Sequence, residues 1–412
     1  MLDQFFTHAA TLERMRAGPW RDHVSAFAGE LLERGHTQST GEEYLRAADR
    51  LSRWCHRRRM DIYDLSETQF ATFLRDWRGR NQRRRSDSSG LRRFLEYLRS
   101  TGVLPTVPPI VDVGALGQVM GKFAQHLTQE RGLKRTTVAS RLRMIRWFLA
   151  ARFGNGPIPL QTLSPGDIIG FLRRHAPTIG LASAQLLVCA LRTFCRWLRL
   201  RGDVAVDLAA CVPTVPKRRF ATLPRALPTT DVRRVLRGCD RASVTGRRDY
   251  AVLLLLARLG LRAGEVVALT LDDIDWRAGQ ITIRSKGGRQ DPLPLPQDVG
   301  AALAAYLRRG RPICKTRRVF VSIYAPRREF AGSSTVARLV RRALDRTGLT
   351  PPCRGAHIFR HSLATELLRR GASLSEVCEV LRHRRMSTTQ IYAKVDLAAL
   401  HMLTQPWPGG AR

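Results

Sequence analysis

The chain has 412 residues, enough for two or three domains, and its 70 Lys and Arg against 34 Asp and Glu leave a formal net charge of +36. The excess runs along the whole chain rather than forming a basic tail, which points to a long surface for a polyanion, most commonly nucleic acid. A membrane protein is disfavoured: the sequence has no long apolar run, signal peptide or lipidation motif, and the apolar stretch 251–257 is far too short to span a bilayer. The expected location is the cytoplasm, on the nucleoid.

The first helical unit is expected at 19–105, with helices over 24–34, 39–57, 66–77 and 87–100; Leu45, Ala48, Leu51 and Trp54 recur at helical spacing. Residues 1–18 carry a weak pattern that suits a short helix or an arm. The run Arg83-Arg84-Arg85 reads equally as a solvated loop or as a phosphate contact.

A second unit at 113–212 repeats the first. LLERG at 31–35 matches QERG at 129–132, LSETQFATFLRDW at 65–77 matches LSPGDIIGFLRRH at 163–175, and LRRFLEYLRSTGV at 91–103 matches LRTFCRWLRLRGDV at 191–204. The order and nearly the spacing are kept, so two similar all-helical modules in tandem are expected. With Arg beside aromatics on their helices, they suit a grip on duplex phosphates. PTVPKRRFATLPRALP, 213–228, is a basic Pro-rich linker and the best boundary in the chain.

Beyond it Thr229 is expected to cap a helix over 231–236. Residues 248–259 form a buried helix by their apolarity, Gly260 breaks it, and 263–269 start another. Arg262 sits at that break with Glu265 one turn later. Either the two pair as structure, or Arg262 points into a site with Glu265 behind it. The period then changes: ITI within 280–284 and PLPL within 291–295 flank SKGGRQ, which predicts a β-hairpin with Lys286 at its tip. Lysine occurs at only six positions, 122, 134, 217, 286, 315 and 394, and unlike Arg it can release a proton near neutral pH.

His357 and Arg360, at i and i+3, share a helix face. A second helix is expected over 375–381, followed by His383, the polar run Ser387-Thr388-Thr389, and Tyr392. Two imidazoles, a guanidinium and a phenol suit a phosphate: Arg clamps its oxygens, His moves a proton, and Tyr can attack. Cys353, His357 and His361 have loose metal-ligand spacing, but HExxH and CxxC patterns are missing, so no metal is expected. The eight scattered cysteines read as reduced core residues.

Four motifs carry a resemblance to the tyrosine recombinases of the phage-integrase family: LGLRAGE at 259–265, SKGGRQDPLPL at 285–295, HIFRHSLAT at 357–365 and LRHRRMSTTQIY at 381–392. They stand in the family's order and at its usual spacing. The resemblance covers 229–403, with 113–212 similar to the family's helical core-binding domain. The chain departs from the pattern at Arg382, where Gly often stands, and in the extra module at 1–105.

The resemblance implies a mainly α fold with a small antiparallel β-sheet in a catalytic domain at 229–412, and it assigns roles. Arg262 and Arg360 would hold the scissile phosphate, and Tyr392 would attack it to give a 3′-phosphotyrosyl link. His357 would serve as base or phosphate ligand, Lys286 would protonate the departing 5′ oxygen, and His383 would donate a hydrogen bond to the phosphate. Glu265 would orient Arg262 or His357 from behind. It further implies double-stranded DNA as substrate and strand exchange without ATP, cofactor or metal. Four protomers, of this chain or with related recombinases, would act together, with 396–403 as a docking helix on a neighbour. The other classes that share features are a silent DNA-binding accessory protein and a type IB topoisomerase. Nothing in the residues separates phage integrase, transposon recombinase and resolvase.

Overall fold

The computed structural model describes residues 1–80, 85–105, 114–154, 156–216, 224–285 and 289–395. The described residues fall into two compact units, one within Met1–Pro105 together with Phe220–Arg412, the other within Thr106–Arg219. The Arg83-Arg84-Arg85 run lies largely outside the described residues, as do Lys286, residues 217–223 of the expected linker and the C-terminal segment from Asp396 onward.

Five helices build the start of the first unit: α1 (Ala9–Arg16), α2 (Arg21–Glu33), α3 (Gln38–Arg57), α4 (Glu67–Arg80) and α5 (Arg85–Ser100). The weakly patterned first 18 residues are no loose arm, since Leu2, Phe5, Phe6 and Met15 are buried in the same core as α2, α3 and α5. The second unit contains α6 (Ala115–Gln125), α7 (Arg135–Phe153), α8 (Pro165–His175) and α9 (Leu181–Leu200).

The internal repeat is visible side chain by side chain. Ser66 and Ser164 begin α4 and α8 in the same way: each hydroxyl accepts the N–H three residues on, and Gln69 or Asp167 returns a bond to the serine N–H. Phe73 and Phe171 are buried at equivalent positions, and so are Leu91 and Leu191, Phe94 and Phe194, Leu98 and Leu198. α3 packs on α5 as α7 packs on α9. Gly102 and Gly202 close the last helix of each set at the same φ of 76°.

The remaining part of the first unit is mainly helical around one small sheet. It contains α10 (Thr229–Arg237), α11 (Val244–Arg258), α12 (Ala263–Ala268), the strands β1 (Ile274–Asp275), β2 (Gln280–Arg284) and β3 (Gln290–Pro294), then α13 (Gln297–Arg309), α14 (Ser333–Arg346), α15 (His357–Arg369), α16 (Leu374–Val380) and α17 (Met386–Thr389). The sheet is antiparallel in the order β1-β2-β3, with Ile281 opposite both Ile274 and Leu293. The expected hairpin is present, with a two-residue strand added to it. Ile281 and Ile283, the apolar pair of ITI, are both buried.

α11 is the axis of this region. Residues Ala251 to Leu256 are all buried, and the helix packs against α10, α12, α13, α14 and α15. Thr229 is not the cap of α10: Pro228 holds that position, and the Thr229 hydroxyl instead donates to Glu366 Oε2 on α15 at 2.7 Å. Within the same unit the end of α2 meets the 315–327 segment, where Lys315 pairs with Glu33 at 2.8 Å and the Arg327 N–H donates to the Arg34 carbonyl.

Phe194 is fully buried and packs edge-on to Phe123 with ring centroids 5.1 Å apart. Phe194→Ala should destabilise the second unit by about 3–5 kcal/mol, whereas Leu186→Ala, at a half-exposed position on the same helix, should change it by no more than ~0.5 kcal/mol. Amide hydrogen exchange along α7 and α9 checks both, and equal effects would contradict this core.

Candidate active site

The site forms where two helices end beside each other. α11 runs out at Arg258, and Gly260 turns the chain at φ 57°. A Cβ there would meet Leu381 and Leu363 side chains at 2.9 and 3.0 Å, so the turn needs a residue without one. α16 runs out at Val380 against the same place. Both helix ends present backbone carbonyls, the negative pole of a helix.

Arg360, reaching across from α15, satisfies both. Its Nη1 donates to the Gly260 carbonyl at 2.5 Å, and its Nη2 to the Leu381 carbonyl. It is only 3% exposed, and burial, followed by the nearby Arg262 and Arg382, lowers its pKa to about 10, which leaves it charged at neutral pH.

Arg262 is the N-cap of α12 and pairs with Glu265, the first alternative of the sequence reading. Its backbone N–H donates to Glu265 Oε2 at 2.9 Å and its Nη1 to Oε1 at 2.7 Å, while its side chain stays about one-third exposed. Glu265 is buried, which by itself would raise its pKa. The backbone and guanidinium of Arg262, with Arg382, outweigh burial and hold it below the usual carboxylate range. Arg382 Nη2 supplies the third bond, to Glu265 Oε2 at 3.1 Å. Ser285, the last described residue before the hairpin tip, lies 3.5 Å from Glu265 Oε1 and donates to Asp291 Oδ2 at 3.0 Å.

Three imidazoles surround this cluster. His357 keeps an exposed face at the head of α15, yet crowding by the protein, then Arg360 and Arg262, lowers its pKa. His383 hydrogen-bonds Thr389 Oγ1 through Nδ1 at 2.8 Å; burial, then Arg360 and Arg262, pulls it down to about 4. His361, one turn after His357, is 2.8 Å through Nδ1 from the Tyr392 hydroxyl. Burial, then His357 and Arg360, lowers its pKa as well. Tyr392 sits in the 3-10 segment Gln390–Val395, is 1% exposed, and has its phenol pushed up to about 12 by burial.

A phage integrase family model matches residues 225–398. A putative integrase/recombinase of Sinorhizobium fredii, y4rA, is 42% identical over 413 residues, spanning 99% of this chain and 100% of its own. The tyrosine recombinase XerD of Mycobacterium tuberculosis is 35% identical over 302 residues, 70% of this chain and 95% of its own. The crystal structure of the XerH site-specific recombinase, bound to palindromic difH substrate in a post-cleavage complex, aligns with a TM-score of 0.53 at 19% identity; it covers 69% of this chain and 83% of that one. The chain belongs to the tyrosine recombinase family. It is thus one of the enzymes that break and rejoin DNA strands, and its mainly helical fold with a small antiparallel sheet is that of the family's catalytic domains.

Of the tyrosine recombinase residues expected from the sequence, the structure gathers Arg262, Glu265, His357, Arg360, His383 and Tyr392 around the facing ends of α11 and α16; Lys286 lies outside the described residues. Three participants were not foreseen. His361 was noted only for a metal-ligand spacing, although its i+4 relation to His357 already placed it on the same face. Thr389, fully buried, stood in what read as a polar run. Arg382 read as a mere departure from glycine. Its φ of 53° is the left-handed region, where a non-glycine residue costs about 1–2 kcal/mol.

The lowered pKa of His383 has a sign that can be checked. Below pH 6.5 the unfolded chain binds a proton that the folded one refuses, so this contribution to stability is full above that pH and is lost as pH falls toward 4. In an imidazole NMR titration, with His383→Gln giving the assignment, His383 should titrate near 4; a midpoint near 6.5 would show it solvated and uncoupled from Thr389.

Proposed function

We propose that this recombinase cuts and rejoins duplex DNA at specific sites through a 3′-phosphotyrosyl intermediate, with Tyr392 as nucleophile. The observation that supports the reading is the convergence of the Arg262 and Arg360 guanidiniums, three imidazoles and the buried phenol of Tyr392 on the facing ends of α11 and α16. Arg262, one-third exposed and fixed from behind by Glu265, offers its free N–H groups to a non-bridging oxygen. Arg360 adds a second positive charge from below. Together they match the negative charge that grows on the phosphoryl oxygens as Tyr392 attacks.

Attack breaks the bond from phosphorus to the 5′ oxygen and forms the bond to the tyrosyl oxygen. The leaving 5′ oxygen needs a proton, and Lys286, which lies between β2 and β3 in the sequence, is the donor. His357, its pKa lowered and its ring open to solvent, acts as base or phosphate ligand. His383, fixed through Nδ1 by Thr389, has Nε2 left to donate to the phosphate. The link conserves the phosphodiester energy, so a free 5′ hydroxyl from a partner strand completes exchange without ATP, and the clamp supplies the charge that a metal would otherwise bring.

The two helical modules bind DNA backbone. In the first, α3 and α4 line a groove of about 390 Å³ with Arg50, Arg53, Arg57 and Arg58. There the Arg58 guanidinium lies 4.3 Å over the Trp54 ring and that of Arg50 4.5 Å over Trp77. Exchange requires four protomers, copies of this chain or related recombinases, on a four-way junction.

A nicked suicide substrate drawn from the DNA flanking the gene tests the reading. Wild type should give an SDS-resistant protein–DNA adduct, and Tyr392→Phe should bind the same DNA and give none; an adduct that survives this change removes Tyr392 from its role. Lys286→Ala should slow cleavage on ordinary DNA and recover on a 5′-bridging phosphorothiolate, whose leaving group needs no proton. Lack of recovery would count against the acid.

A further inference from the structure

Arg382 occupies a turn that a glycine would take without strain, at φ 53°, and yet its side chain is buried at 4% exposure against the equally buried Glu265. It does two things there. Its Nη2 holds Glu265 Oε2 at 3.1 Å, on the carboxylate that Arg262 holds through Oε1. Its Nη1 reaches the Leu259 and Val380 carbonyls at 3.4 and 3.3 Å, the immediate neighbours of the Gly260 and Leu381 carbonyls that carry Arg360. Arg360 and Arg382 thus take one carbonyl each from each of the two helix ends. Its Nε–H is buried with no partner among the described residues.

We propose that Arg382 is a positioning residue for strand cleavage, acting through Glu265. The inference rests on the cleavage reading above and goes beyond it. Arg262 and Arg360 with Glu265 between them amount to a single net positive charge. The scissile phosphate already carries one negative charge and gains more in the transition state. Arg382 takes over the neutralisation of Glu265 and restores a second net positive charge, so the field of Arg262 is directed at phosphate rather than spent on the carboxylate. The carboxylate can then orient Arg262 without weakening it. Because Arg382 also shares the helix-end carbonyls with Arg360, the same side chain keeps the two clamp arginines in a fixed relation.

The test measures single-turnover adduct formation on the suicide substrate, and DNA affinity separately, for wild type, R382G, R382K, E265Q and the R382G/E265Q double variant. R382G removes the side chain and relieves the backbone. It should bind DNA nearly as wild type does and cut on the order of tenfold to a hundredfold more slowly, with R382K recovering part of the loss. In the E265Q background the same change should cost less than about threefold. A neutral methylphosphonate at the scissile position should likewise narrow the gap between wild type and R382G, a response that a purely structural role would not give.

R382G cutting at the wild-type rate, or losing equally with and without Glu265, overturns the inference while leaving the cleavage reading intact. Absence of any adduct with wild type overturns that reading and the inference with it. If R382G does not fold, R382K against R382Q decides: the lysine variant must cut faster, and equal rates overturn the role.

Discussion

One buried carboxylate holds the catalytic region together. Glu265 lies at 6% exposure in a chain of strong positive charge, and an ion so placed is tolerable only with close partners. It takes them from separated parts of the chain: the N-cap Arg262, the turn residue Arg382, and, more distantly, Ser285 at the foot of the hairpin. Removing one partner from such a pair typically costs about 3–5 kcal/mol, because the other charge is left uncompensated. Glu265 therefore sets the start of α12 and the aim of Arg262. It also fixes the turn that delivers His383.

Arg360 solves a second problem with the same chemistry. Two helices that end together bring like partial charges into contact, and nothing apolar can separate them without leaving carbonyls unpaired. A guanidinium has a planar fork wide enough to take a carbonyl from each end, which a lysine ammonium cannot match in geometry. The absence of a Cβ at Gly260 lets Leu381 and Leu363 close over the turn. On the proposed reading the electrostatic need of the fold and that of a bound phosphate coincide: the cation that holds the helix ends is the one that would face the anion.

Much of this was legible in the residues. LGLRAGE announced a helix break at Gly260 with Arg262 beside it and Glu265 one turn later, and the structure has the break and the Arg262–Glu265 pair. HxxR on one face, the hairpin and the module repeat are periodic signals, and local periodicity survives folding. The misses share a physical cause: each depends on a contact far along the chain. Thr229 looked like a cap because its hydroxyl could accept a local N–H, but Glu366 on α15 competes for it. Arg382 looked like a lapse from glycine because its partner stands 117 residues away. Phe5 and Phe6 lie in a stretch too short to show a period, so their burial against α2 and α3 had no local signature. β1, two residues long, exists only as a partner of β2.

On the proposed reaction, the placement of Tyr392 separates holding DNA from cutting it. Its ring belongs to a small cluster with Ala364, Leu368, Val377 and Leu381, distinct from the large core around α11. Its hydroxyl is bonded to His361, and burial pushes the phenol up to about 12, which disfavours the phenolate there. On the proposed reaction the ring must leave this cluster. Exposing an aromatic side chain costs about 1.5–3 kcal/mol, and exchanging one buried hydrogen bond about 0.5–1.5 kcal/mol. Specific DNA binding is typically ~4–10 kcal/mol stronger than non-specific binding. The release is therefore within what a correct site supplies and consumes much of what an incorrect one does. Because α17 is four residues long and has no side-chain cap, moving the segment sacrifices little secondary structure. On that reaction the small satellite core would act as a threshold, keeping Tyr392 covered until contacts elsewhere on the DNA outweigh it.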